Sequence, residues 1–109
     1  MQGQIDSDVF RELQATAGAD FVAELVDTFF EEAPGMMAAL RQAQAAGDGD
    51  AFRRAAHSLK SNSLTFGAVA LAASARALEL GGIAGEAAID VLQRDYDAAA
   101  AALKELRDA

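Results

Sequence analysis

"EAAIDVLQRDYDAAAAALKELR", residues 86–107, is the stretch whose spacing decides the fold. Its apolar positions Ile89, Leu92, Tyr96, Ala99, Leu103 and Leu106 are separated by 3, 4, 3, 4 and 3 residues. A helix of about 3.6 residues per turn gathers such a series into one stripe, and a stripe of that kind faces other helices. The spacing therefore predicts a long helix from Glu86 to Arg107 that forms one wall of a bundle.

The rest of the chain supplies the other walls. Alanine is abundant, proline occurs once and β-branched residues are few, a composition that favours helix throughout. No segment alternates apolar and polar residues between turn signals, so no strand is predicted. Asp6 or Ser7 can cap a short first helix carrying Ile5, Val9, Phe10 and Leu13 and closing near Gly18. A second helix opens at about Asp20, with Phe21, Leu25, Phe29, Ala33, Met36 or Met37, Leu40 and Ala43 as its apolar positions. It stops at Gly47 in "AAGDGD", where Asp48 or Asp50 can cap the next helix. Pro34 interrupts this pattern at a cost of about 3 kcal/mol unless packing compensates. The apolar period stays in phase on both sides of it, which predicts one bent helix. A third helix is expected from about Ala51 to Thr65, and a fourth from about Ala68 to Leu80, ended by "GGIAG". Short glycine connections favour antiparallel neighbours. The expected fold is all-α, a single domain over residues 1–109, an antiparallel four-helix bundle with a short additional N-terminal helix laid across it.

Composition narrows the function. The absence of cysteine excludes disulfides and thiolate metal sites, and a single histidine excludes a multi-histidine site. No D-x-D-x-D-G loop is present, so no metal and no cofactor are expected on this chain. "MQGQIDSDVF" has neither a basic segment nor an apolar h-region. The longest apolar run, from Gly67, is broken by Arg76 and Glu79, so no membrane span is expected and the reading is a cytoplasmic, soluble protein. A net charge of −8 argues against nucleic acid. That charge is unevenly placed. Residues 1–32 hold eight acids against Arg11 alone, whereas residues 51–78 hold no acid but contain Arg53, Arg54, Lys60 and Arg76. A basic patch on an acidic protein suits an anionic partner site or an anion carried on the patch itself.

The only histidine, His57, lies in that acid-free segment. With Leu59 set facing the core, Phe52, Ala55, Ala56, Ser63 and Phe66 fall within about 60° of it, while His57 lies about 160° away. His57 should therefore be exposed, not a core histidine. Its neighbours on that pole are Arg53, Arg54, Lys60, Ser61 and Leu64. The cations favour the neutral, nucleophilic imidazole, and an exposed Leu64 beside small Ser61 makes an approachable apolar spot. Acid–base catalysis would need a carboxylate orienting the ring. The third helix has none within a turn of His57; Asp50 is seven residues back, and Glu24, Asp27, Glu31 and Glu32 of the second helix are the other candidates. No nucleotide-binding or nucleophile-elbow motif is present. Three readings stand: a nucleophile that carries a phosphoryl group, a helical docking module that transfers nothing, and a hydrolase pairing His57 with a second-helix acid.

"AHSLKSNSLTFGA", residues 56–68, closely resembles the core motif of histidine-containing phosphotransfer domains, roughly H-x-L-K-G-x-S-x-x-x-G-A. His57, Leu59, Lys60, Ser63, Gly67 and Ala68 match in position, and "FFEEAPGMMAALRQAQAAGD" is similar to the family's second helix. The resemblance implies a four-helix-bundle phosphocarrier in which His57 accepts a phosphoryl group from a receiver aspartate and gives it to another receiver, with Lys60 contacting that group. Arg53, Arg54, Ser61, Leu64 and Gly67 form the expected partner-facing set, and Gly67 also lets the histidine helix end or pack closely. The implied partners are response-regulator receiver domains and a hybrid histidine kinase, with Mg²⁺ held by the receiver and the carrier a monomer. Ser61 departs from the pattern, standing where the family has glycine.

Overall fold

A computed structural model describes residues 5–83 and 85–109; residues 1–4 of the N-terminal stretch and Ala84 of "GGIAG" lie outside the described residues. Five helices follow in order: α1 Ser7–Ala17, α2 Ala19–Ala46, α3 Gly49–Thr65, α4 Val69–Gly81 and α5 Glu86–Asp108. No strand occurs among the described residues. The helix starts and stops follow local chemistry. Asp6 caps α1, its Oδ1 accepting from the Asp8 N–H at 3.0 Å. Asp48, and not Asp50, caps α3 by accepting from the Ala51 N–H at 3.0 Å. Gly47 ends α2 in the left-handed region at φ 68°, where its N–H closes on the Ala43 and Gln44 carbonyls.

Helix α2 runs unbroken through Pro34. The proline lies on the exposed side of the helix, where a missing backbone hydrogen bond costs least, while Ala33 beside it is buried. At about 1.5 Å per residue the 28 residues of α2 span the full 42 Å length of the molecule. Consecutive helices joined by short turns pack side by side, α2 on α3, α3 on α4 and α4 on α5, and α2 also meets α5 to close the ring. Helix α1 packs along α2 as an addition to that ring.

The core is where the α5 stripe predicts it. Ile89, Leu92, Ala99 and Leu103 are buried, and Tyr96 and Leu106 partly so. Phe29 lies at the junction of three elements, 5.5 Å from the ring of Phe66 and edge-on to Tyr96 at 5.8 Å. On α3, Phe52, Ala56, Leu59, Ser63 and Phe66 are buried as the helical angles require. The start of α2 differs from expectation. Phe21 is 52% exposed, and Val22 and Val26 are buried in its place. Counting back from Phe29 at 100° per residue, Val22 falls about 20° from the stripe centre and Phe21 about 80°. The larger side chain drew the reading to the edge of the stripe.

Candidate functional site

Helix α3 carries His57 on the pole opposite Leu59, and its side chain is 56% exposed. The ring is not free. Its Nδ1 lies 2.6 Å from Oε2 of Glu79, on α4. Glu79 Oε1 lies 2.8 Å from Nζ of Lys60 as an ion pair, and this oxygen is shut off from solvent with no well-aligned hydrogen bond among the described residues. Glu79 thus bridges the imidazole and the lysine. Those two partners, Lys60 first and then His57, hold its carboxyl below the ordinary value of 4.5, outweighing the opposing effect of desolvation. An ionised carboxylate only accepts hydrogen bonds, so Nδ1 carries the ring hydrogen and donates it. That fixes the neutral tautomer with its lone pair on Nε2, turned away from Glu79.

This corrects the reading of an acid-free ring around the histidine. The acid-free interval 51–78 ends one residue short of Glu79, and the tertiary fold brings the acid back. The signal was available in the helical hairpin: α3 and α4 turn about residues 66–68, so positions roughly equidistant from that turn sit level. His57 and Glu79 are such a pair. The carboxylates expected from α2 do other work. Asp27 bonds Arg107 of α5, and Glu31 and Glu32 line a groove between α2 and α3.

The remaining candidates divide. Arg53 and Arg54 are exposed and line a hollow of about 400 Å³ together with His57, Ser58 and Glu79. Leu64 is 54% exposed, as expected, and with Lys60, Val69, Ala72, Ala73 and Arg76 lines a second, almost wholly apolar hollow between α3 and α4. Ser61 is exposed one turn beyond His57 and does not line the hollow holding the imidazole. A helix side chain leans towards the N-terminus, which points the ring to Arg53 and Arg54 and away from Ser61.

Gly67 is a correction. It is buried and cannot face a partner. Its φ is +73°, and its carbonyl accepts from the Asp6 N–H at 2.7 Å. A Cβ there would lie 2.9 Å from the Asp6 carbonyl oxygen and 2.9 Å from Val9 Cβ. Gly67 is the seat on which the start of α1 rests. Its expected part in ending the histidine helix holds: α3 stops at Thr65, and the Gly67 N–H bonds back to Leu64.

Chemically, the site offers an exposed imidazole of fixed tautomer, a carboxylate behind it and cations beside it. No hydroxyl is hydrogen-bonded to the ring among the described residues, and its one side-chain partner there is Glu79. The described residues contain no helix long and apolar enough to cross a membrane.

Comparison with known proteins agrees with this geometry. The family model of the Hpt domain matches residues 24–109. No curated protein sequence matches the chain. Among solved structures, the chain is similar to histidine-containing phosphotransfer protein B (HptB) from Pseudomonas aeruginosa PAO1, with 31% identity and a TM-score of 0.89 over 99% of this chain and 97% of that one.

Proposed function

The chain belongs to the Hpt domain family, whose function is histidine phosphotransfer in phosphorelays, and on that premise we propose that His57 is the phosphoryl acceptor and that Nε2 is the atom that takes the group. The observation that carries this reading is the 2.6 Å contact between His57 Nδ1 and Glu79, on a ring that is otherwise half exposed. It commits one nitrogen to the protein and leaves the other to a partner.

The Nε2 lone pair attacks phosphorus in line with the aspartyl oxygen of a phosphorylated receiver; the Nε2–P bond forms, the O–P bond breaks, and the aspartate leaves as a carboxylate. The ring keeps its Nδ1 hydrogen and becomes a phosphoimidazolium, whose positive charge lies against the Glu79 carboxylate. Donation to a second receiver reverses these bonds. Lys60 holds Glu79 from its far side and so fixes the carboxylate that orients the ring. Any Mg²⁺ the reaction uses arrives with the receiver, and the carrier works in the cytoplasm as a monomer. The apolar hollow at Leu64 and Val69, edged by Lys60 and Arg76, suits a receiver whose acidic pocket is rimmed by apolar residues.

Incubation with a phosphorylated receiver should place an acid-labile, base-stable phosphate on this chain, and His57→Gln should abolish it. Binding and signalling that persist unchanged in His57→Gln would instead make the protein a docking module. A labelled His57→Gln protein would overturn the site.

A further inference from the structure

We propose that Arg54 is the residue that directly binds the phosphoryl group once it is on His57, while Lys60 acts through Glu79. The proposal rests on the reading of His57 as the acceptor and assigns the cation that receives its cargo.

Three cations lie within about one turn of His57 on α3, and the structure gives them different company. Lys60 is committed: its ammonium lies 2.8 Å from Glu79, and its side chain is only 22% exposed. It does not line the hollow that holds the imidazole. Arg53 lines that hollow but has Asp50 one turn back, with 3.9 Å between guanidinium and carboxylate. Arg54 lines the hollow too, and among the described residues no carboxylate lies within ion-pairing distance of it. It is the one cation at the ring with no ion pair among the described residues.

Position and chemistry agree. Arg54 precedes His57 by three residues, so the two share a face, and the ring leans towards the turn that carries the arginine. The bond from Nδ1 to Glu79 points one edge of the ring at α4 and directs Nε2 the other way. Arg54 also lines the groove between α2 and α3, so this residue borders both that groove and the hollow. Glu31 and Glu32 line the same groove without reaching ion-pairing distance, which gives the guanidinium an acidic flank to rest beside. A planar guanidinium meets two phosphoryl oxygens with two parallel hydrogen bonds; an ammonium held by a carboxylate cannot. The charges lining the hollow with the imidazole are Arg53 and Arg54 of α3 and Glu79 of α4, with Glu31 and Glu32 of α2 in the adjoining groove.

The test reads the phosphoryl group itself, without a receiver. Phosphoramidate can label the sole imidazole: its P–N bond breaks, ammonia leaves and the Nε2–P bond forms. The phosphorus NMR shift is then followed against pH for wild type, Arg54→Ala, Arg54→Lys, Arg53→Ala and Lys60→Ala, with circular dichroism confirming that each is folded. A bound guanidinium favours the doubly ionised group, so Arg54→Ala should raise its second ionisation midpoint by about 0.5 unit, the size of an exposed charge-assisted pair. Arg54→Lys should restore part of that, and the other two variants should move it less than Arg54→Ala. A midpoint indifferent to Arg54, or a larger rise in Lys60→Ala or Arg53→Ala, overturns the proposal. Failure of the underlying reading looks different: wild type would then take the group from phosphoramidate but from no receiver.

Discussion

Two regions of one short stretch behave in opposite ways. At residues 53–60, α3 turns its charged side chains outward, and the partner shared by His57 and Lys60, Glu79, comes from another helix. At residues 59–68, Leu59, Ser63, Phe66, Gly67 and Ala68 are buried, and their partners are the core and the start of α1. Ser63 is the only buried polar side chain among the described residues, and its hydroxyl is satisfied within α3 by donating to the Leu59 carbonyl at 2.6 Å. A motif read as one signature is thus two devices, a reacting face and the frame that holds it. The two should fail independently: frame substitutions change stability, and face substitutions change transfer.

The largest effect is expected in the frame. Leu59→Ala removes a side chain with no exposed surface and should cost about 2–5 kcal/mol in denaturant unfolding. Gly67→Ala should cost about 2–3 kcal/mol, since alanine is strained at positive φ and its Cβ meets a backbone oxygen that cannot move cheaply. The same change should loosen α1, which hydrogen exchange at Phe10 and its neighbours would show. Wherever the folded fraction of either variant can be isolated, its labelling rate per folded molecule should match wild type. A selective loss of transfer there would erase the distinction between frame and face.

Next comes the face. Glu79→Ala leaves Nδ1 without its acceptor and the phosphoimidazolium without its counter-charge, so phosphotransfer should fall on the order of 10-fold, the scale seen for carboxylates that orient an imidazole. Glu79→Gln keeps an acceptor but no charge and should fall in between. Acid should act on the same group. Glu79 is held below 4.5 by Lys60 and His57, so the stability these contacts contribute is present above that value and is lost as pH falls through the lowered one. Unfolding measured from neutral pH downward should show a loss that Glu79→Gln lacks.

The sequence makes the frame far more legible than the face. Helical spacing alone orders the bundle, because each stripe reports its own helix and the glycine turns leave few ways to assemble them. It also turns His57 outward. What it does not deliver is Glu79, since an acid beside the core residue Leu78 reads as an ordinary solvent-facing position until α4 is folded back on α3. Lys60 reads as a free cation for the same reason. Gly67 is misassigned in the opposite direction: its place in the motif draws attention to a partner, whereas the contact that demands glycine comes from Asp6 and Val9, some sixty residues earlier. In each case the deciding neighbour lies on a different helix, and spacing within one helix carries no information about it.

The smallest expected effect separates face from frame most cleanly. Leu64 belongs to α3 and adjoins the buried residues, yet more than half of its surface is open and it lines the apolar hollow with Val69. Its replacement therefore removes little packing from the fold but removes apolar area that a docked receiver would cover. Leu64→Ala should leave the unfolding midpoint within about 0.5 kcal/mol of wild type, as surface changes do. It should weaken receiver binding by about 1 kcal/mol, close to 5-fold in Kd, the scale of a partly buried leucine at an interface. Labelling by phosphoramidate needs no docked partner and should be unchanged. If Leu64→Ala lowers stability and leaves receiver affinity intact, this residue belongs to the frame, and the face on α3 ends at Lys60.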